Sequence, residues 1–403
     1  MAKTLLLLGG SPQQVIAITT ARNLGYRTVL CDYLPDNPGQ HEADVFYLIS
    51  TTDKDAVLDV ARKENIDGIV AYASDPAAPT AAYVSEALGL AGIPYDMALN
   101  FCEKHKFRTF LEQNGFNVPG SVELDADAPF DASLVEGLTL PIIVKPTDSS
   151  GSKGVTVVRD LADLPAAFKD ARERSRNRVL VAEEFIERAH PHVIEAELTV
   201  SDGEVSTWGL INSIRDSASN PLLPAAYSYP LELSQDQIDL VYDQVSKLVH
   251  ASGMTYGSFN IEMIITEDGR LYFLDAGPRN GGNMLPDFIS MIADGDVVAA
   301  TLQAAMGETP DDSAALDGKS GGSWGLAVMH TPKDGILNHM EHTPAAAKAL
   351  VREVPLAEPG DEVHRFSTCD KGFGFAFYHF PDEATKQATM NAPGGPVLAI
   401  LQD

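Results

Sequence analysis

Short apolar runs alternate with amphipathic stretches through the first hundred residues. Thr4 to Leu8, Thr28 to Cys31 and Ile69 to Ala73 read as strands, with helical patterns over Val15 to Leu24 and around Ala56 to Lys63 between them. Strands alternating with helices in this way imply a parallel sheet covered on both faces, so a doubly wound α/β domain is expected over residues 1–96. Gly9-Gly10-Ser11-Pro12 falls where the first strand turns into its helix, with Ser11 placed to cap it and Pro12 at the first helical position. Such a turn favours an anion. The dinucleotide fingerprint G-x-G-x-x-G nevertheless fails here, because Ser11 and Gln14 hold its second and third glycine positions, and a tight turn that closes the domain is the simpler reading.

A helical pattern from about Met97 to Asn114, ended by Gly115 and Pro119, opens a second region. It carries Glu103, Lys104, His105 and Lys106, a charge run that by itself reads as a solvated face. Further on, Pro141-Ile-Ile-Val-Lys145-Pro146 is an apolar strand closed by a lysine. Asp148-Ser149-Ser150-Gly151-Ser152-Lys153-Gly154 and a second strand, Val155 to Val158, follow it. The loop is rich enough in glycine and serine to wrap phosphate oxygens with backbone N–H groups, and equally fits an ordinary hairpin; it is not a Walker loop, since no G-x-x-x-x-G-K-[ST] is present. Lys145 at an apolar strand end calls for an anionic partner if it is enclosed. Glu183-Glu184-Phe185-Ile186-Glu187 then closes another apolar strand, either as a hinge for a base and ribose or as a solvated edge.

The most constraining pattern is Ser258 to Asp275. Asp268-Gly269 predicts a two-residue hairpin turn, which pairs Glu267 with Arg270 and sets Glu262 opposite Asp275, with Ile264 and Phe273 as their apolar neighbours on that face. Cβ atoms so paired lie about 4.5–5.5 Å apart, where two carboxylates repel unless a cation joins them. With no His or Cys nearby, these hard oxygen donors suit magnesium shared with substrate phosphates. Arg279 follows four residues later on Ala276-Gly277-Pro278-Arg279-Asn280-Gly281-Gly282-Asn283, placed to fork onto a phosphoryl group or a substrate carboxylate.

In this order, the lysine strand, Gly/Ser loop, E-E-F-I-E hinge, Glu strand and D-x-x-P-R turn resemble the ATP-grasp superfamily, over nearly the whole chain. The Gly281-Gly282 pair is more similar to the carboxylate-amine branch of L-amino acid ligases than to biotin carboxylase. The resemblance implies the doubly wound domain at 1–96, a two-lobed ATP-grasp domain at 97–308 with a lid lobe at about 140–190, and a small C-terminal α+β lobe at 309–403. It implies ATP and Mg2+, held by Lys106 and Lys145 on the phosphates, Ser149, Ser150, Gly151, Ser152, Lys153 and Gly154 over them, and Glu183, Glu184, Phe185, Ile186 and Glu187 at the adenine and ribose. His192 is placed near the ribose. Glu262 and Asp275 become metal ligands, and Arg279 with Lys145 the catalytic pair. Arg215, Arg279, Asn280, Gly281, Gly282 and Asn283 face substrate. One departure is Gly277, which stands where the family pattern E-x-N-P-R has its Asn. The implied reaction is ATP-dependent amide or peptide bond formation through an acyl phosphate. A purine-type ATP-dependent carboxylase and a catalytically silent nucleotide-binding protein are the alternatives.

Length and charge narrow the class further. At 403 residues the chain is long enough for two to four cores. A net charge of −28 repels phosphate backbones and anionic lipid, so neither nucleic acid nor membrane is an expected partner. Cys31, Cys102 and Cys369 lack metal-ligand spacing and suit a reducing compartment. No run approaches the ~20 apolar residues of a membrane span, and Gly9-Gly10 interrupts Leu5 to Leu8. A cytoplasmic homodimer acting on small-molecule carboxylates and amines is expected. Beyond Thr309, Gly372 to Tyr378 alternates like a strand, with Phe373, Phe375 and Phe377 as core, and Asp382 to Met390 reads as a helix.

Overall fold

The computed structural model describes residues 2–149, 153–216, 220–293, 295–310 and 321–402. Strands β1 (Thr4–Leu8), β2 (Arg27–Asp32), β3 (Val45–Leu48) and β4 (Gly68–Val70) form a parallel sheet in the order β3-β2-β1-β4. Helices α1 (Val15–Asn23), α2 (Lys54–Glu64) and α3 (Ala78–Leu88) cover it. Alternation along β1 sends Leu6 and Leu8 towards Val57, Leu58 and Val84, whereas Leu5 and Leu7 pack with Ile18, Val298 and Leu302. One face of this sheet is therefore closed by residues almost three hundred positions away in the chain. The Gly9-Gly10 turn behaves as a closing turn. Gly10 N–H donates to Asp32 at 2.7 Å, and a Cβ at Gly9 would fall 2.3 Å from the Gln14 amide, which itself reaches Tyr72 O.

The helix expected from Met97 to Asn114 is broken. Glu103 is extended (φ −114°, ψ 111°) and separates α4 (Tyr95–Cys102) from α5 (Lys104–Gln113). Lys104 N–H donates instead to Thr147 O at 3.0 Å. The break is invisible to periodicity because Phe101 and Phe107 on either side reach the same core, 5.3 Å apart.

A four-stranded antiparallel sheet follows, in the order β5-β8-β6-β7, from β5 (Ser121–Asp125), β6 (Ile142–Pro146), β7 (Thr156–Val158) and β8 (Val179–Glu184). Phe168, Ala167 and Ala171 of α6 (Leu164–Arg174) bury one face against Ile142, Val144 and Leu180.

The largest element is an eight-stranded antiparallel sheet. It contains β9 (Val193–Ser201), β10 (Glu204–Arg215), β11 (Pro224–Tyr229), β12 (Gly257–Ile265) and β13 (Leu271–Gly277), with α7 (Gln235–Ser252) inserted after β11. Along β9, Ile194, Ala196 and Leu198 face one way and pack with Phe259, Ile261, Phe107 and Val245. Glu195 and Glu197 take the alternate positions and so face the other way, where α8 (Leu285–Ala293) and α9 (Val297–Ala305) follow in the chain. Polar residues on a sheet face that is otherwise packed are the first structural mark of the site.

The residues beyond 309 extend this same sheet through β14 (Ser323–Val328). A small sheet is built around β15 (Gly335–His342), followed by α10 (Pro344–Ala349). Next come β16 (Leu350–Pro355) and β17 (Glu362–Val363). Then β18 (Gly374–Phe380), α11 (Glu383–Met390) and β19 (Val397–Leu401) complete the chain. The large sheet runs β13-β12-β9-β10-β11-β14-β18-β16 and the small one β17-β15-β19. Phe375 and Phe377 lie in the core beneath Phe288 of α8, and Phe373 lies in a second cluster with Tyr378 and Phe380, as the core reading required. Among the described residues no single helix is long and apolar enough to cross a membrane.

Candidate active site

Glu262 and Asp275 are direct cross-strand neighbours, but by a different route from the expected turn. Thr266 N–H donates to Arg270 O and Gly269 N–H to Thr266 O, so the connection is a three-residue turn with Gly269 at φ 78°. This shifts the pairing by one residue, setting Ile264 against Tyr272 and Met263 against Phe273; an irregularity at Leu274 restores it at Glu262. Phe273 accordingly lies in the core on the opposite face, and is not the apolar neighbour that a regular hairpin implies. On its other side β12 pairs with β9, which places Glu195 opposite Glu262 and Glu197 opposite Asn260. Three carboxylates thus stand side by side across β9, β12 and β13. Arg215 reaches Glu262 at 2.7 Å and offsets part of their charge.

Cations converge on the other end of the row. Lys104 Nζ donates to Asp275 at 3.4 Å and to Ser149 O at 3.1 Å. Desolvation would raise the Asp275 carboxyl, but Lys104, Lys145, Arg279 and Arg108 outweigh it and hold it below its ordinary value. Lys106, the lysine expected on the phosphates, pairs instead with Glu103 at 2.7 Å on an outer face, because the break at Glu103 turns Lys104 inward. Lys145 is buried and donates to Glu183 at 2.5 Å, while Arg108 grips the same carboxylate at 2.9 and 3.3 Å. Burial pushes the Lys145 amine down to about 8 against the pull of Glu183. Burial works upward on Glu183, yet Arg108 and Lys145 hold it at about 2.

That triad commits both side-chain oxygens of Glu183 to Arg108 and Lys145. Glu184 accepts from Thr139 N–H, Phe185 N–H donates to Pro141 O, Ile186 packs with Val193 and Ile264, and Glu187 is exposed. His192 lies 3.7 Å from Glu232, and burial pushes it down to about 4. In the Gly/Ser loop, Ser149 Oγ donates to Lys153 O, Lys153 pairs with Asp370 at 3.1 Å, and Gly154 sits at φ 73° against Arg174. Ser150, Gly151 and Ser152 lie outside the described residues.

The Arg279 turn is tied inward more than expected. Asn280 is buried and donates to Glu197 at 2.8 Å, and Gly281 N–H donates to the same carboxylate at 2.7 Å, so these two groups serve the scaffold rather than a substrate face. Asn260 bridges the rows, donating to Glu195 and Glu197 and accepting from Arg279. Burial raises Glu197 to about 8 despite these donors, and burial together with Glu262 raises Glu195 to about 7. Asn283 spans the seam to the first domain: its N–H donates to Gln13 and its side chain to Tyr227. A Cβ at Gly282 would meet Gln13 Oε1 at an ordinary contact distance of 3.6 Å. Sequence reading passed over Lys104, Arg108, Glu195, Glu197 and Asn260. Of these, the alternation of Glu195 and Glu197 within an apolar strand was the available signal.

Fold and site together define an α/β protein in which a small antiparallel sheet brings Lys145 and Glu183 close to a charged row at the edge of a larger sheet. Residues 138–287 match the ATP-grasp domain family model, so the chain carries an ATP-grasp domain. The formate-dependent phosphoribosylglycinamide formyltransferase of Sulfolobus acidocaldarius is 26% identical over 322 residues, covering 77% of this chain and 78% of that protein. The L-amino acid ligase of Bacillus licheniformis superposes with a TM-score of 0.77 at 21% identity, covering 100% of this chain and 99% of that one. The phosphoribosylglycinamide synthetase of Anaerococcus prevotii gives 0.75 at 20% identity, covering both chains fully.

Proposed function

We propose that the protein is an ATP-dependent carboxylate-amine ligase that forms an amide or peptide bond through an acyl phosphate, with release of ADP and phosphate. The observation that carries this reading is the convergence of Lys104, Lys145 and Arg279 on Asp275, the cross-strand partner of Glu262, a charge arrangement suited to a polyphosphate and a metal. The donor set fits magnesium. Two carboxylates face each other as hard oxygen donors, burial keeps the nearby Cys102 and Cys369 thiols protonated by pushing both up, and phosphate oxygens and water would complete the shell; among the described residues no group of three or more His, Cys, Asp or Glu is placed to hold a metal by itself. When bound there, magnesium neutralises charge on the phosphates. Lys104 and Lys145 bind the phosphates, and the β5-β8-β6-β7 sheet excludes water as a lid. Arg279 donates from Nη2 to the transferred phosphoryl group as the substrate carboxylate oxygen attacks it and ADP leaves. Arg215 holds the acid. The amine then attacks the acyl carbon, a proton is lost from nitrogen, and inorganic phosphate departs.

The 97–308 core as the catalytic unit, the cytoplasm as its compartment and a homodimer as its assembly belong to the same proposal. Release of ADP and phosphate from pairs of amino acids, screened with magnesium present, tests it; no turnover with any pair would overturn it. The similarity to the Sulfolobus acidocaldarius enzyme favours a second reading, an ATP-dependent enzyme of the purine-pathway type. For a carboxylase of that type, bicarbonate alone would support ATP turnover.

A further inference from the structure

Arg279 is held from outside its own domain. Its Nε donates to Asp75 Oδ1 at 2.5 Å, and Asp75 opens the short turn after β4 in the first domain. Nη1 donates to Asn260 Oδ1 at 3.1 Å and to Asn280 O at 3.0 Å. No bond to Nη2 is formed among the described residues, so two sides of the guanidinium are committed and the third is left for an anion.

Gly277 explains how this fits. A Cβ at 277 would lie 2.9 Å from Arg279 Cζ and Nε and 2.9 Å from Asp75 Oδ1, closer than real Cβ contacts come. Gly277 does not occupy the left-handed region, so space rather than backbone freedom is what glycine supplies here. A side chain at 277 would push the arginine and the aspartate apart while leaving the strand intact.

We propose that Asp75 is a positioning residue for Arg279, and that glycine at 277 is the condition that lets the first domain orient the arginine. This rests on the ligase reading of Arg279. The ion pair spans the domain seam, with side-chain exposures of 14% for Arg279 and 32% for Asp75, so it is shielded enough to fix a side chain. It also makes the first domain part of the phosphoryl-transfer geometry rather than a neighbour of it.

The test compares Asp75→Asn, Gly277→Ala, Arg279→Lys and the Asp75→Asn/Arg279→Lys double variant. Asp75→Asn is expected to lower kcat about tenfold or more with affinity for MgATP, read by calorimetry, within about twofold. In the Arg279→Lys background the same change should add less than about twofold, because the group that it positions is gone. Gly277→Ala should reproduce the kcat loss with Asp75 intact. Unchanged kcat in Asp75→Asn, or its full loss repeated in the double variant, would overturn the proposal. A second readout needs no turnover: orthovanadate affinity in the presence of MgADP should weaken about tenfold in both Asp75→Asn and Gly277→Ala. Unaltered vanadate affinity in Gly277→Ala would overturn the proposal even if Asp75→Asn failed to fold. Unaltered protein that binds MgADP with vanadate but turns over no acid and amine pair would overturn the ligase reading while leaving the vanadate arm to judge Asp75. If it bound neither, both would fall.

Discussion

Glu262 stands directly opposite Asp275 because two irregularities cancel, a three-residue turn at Glu267-Asp268-Gly269 and a register shift at Leu274. With the turn alone the carboxylates would be staggered and could not share one cation. Glu262→Gln and Asp275→Asn are each expected to reduce magnesium-dependent ADP release by about 10²-fold or more. Steady-state assays over a magnesium titration check this, and near-normal turnover in both variants would remove the metal assignment.

Lys104 and Lys106 lie two positions apart on α5 yet point to different places, the first to Asp275 and the second to Glu103. Lys104→Ala should weaken MgATP binding about tenfold or more, whereas Lys106→Ala should stay within about twofold. Calorimetry on the pair decides; the reverse order would return the phosphate role to Lys106.

Glu183 anchors two buried cations, so Glu183→Gln leaves Arg108 and Lys145 uncompensated. A loss of about 3–5 kcal/mol in urea unfolding is expected. The sign of the pH dependence follows from its position at about 2, below the ordinary 4.5. The stabilisation from Glu183 is complete above pH 4.5 and is lost as pH falls towards 2. Acid unfolding of the variant should lack that part of the decline. Parallel curves would show that Glu183 is not the charged anchor.

Arg279→Lys keeps the charge and loses the planar guanidinium that Asp75 and Asn260 hold in place. Turnover should fall about 10²-fold or more, while ATP affinity stays within a few-fold. Kinetics of ADP release beside equilibrium binding separate the two, and equal losses would assign Arg279 to nucleotide binding.

Local pattern determined many of the strands and helices and the types of chemistry in this protein. The strand and helix order at the N-terminus, the apolar strand ending in Lys145, the acidic strand positions 262 and 275 and the arginine turn after them are all set by short-range periodicity and turn residues. What only the tertiary structure decided is who faces whom. Periodicity cannot see the break at Glu103, because Phe101 and Phe107 enter one core on both sides of it, and so it cannot tell Lys104 from Lys106. Glu183 looks like a solvated hinge until Arg108, 75 positions earlier, is brought onto it. Arg279 and Asp75 are 204 positions apart, and their meeting depends on the first domain docking against α9 and on the missing side chain at Gly277. A buried charge is placed by the partner that compensates it, and that partner is chosen by the packing of distant elements rather than by neighbours in the chain.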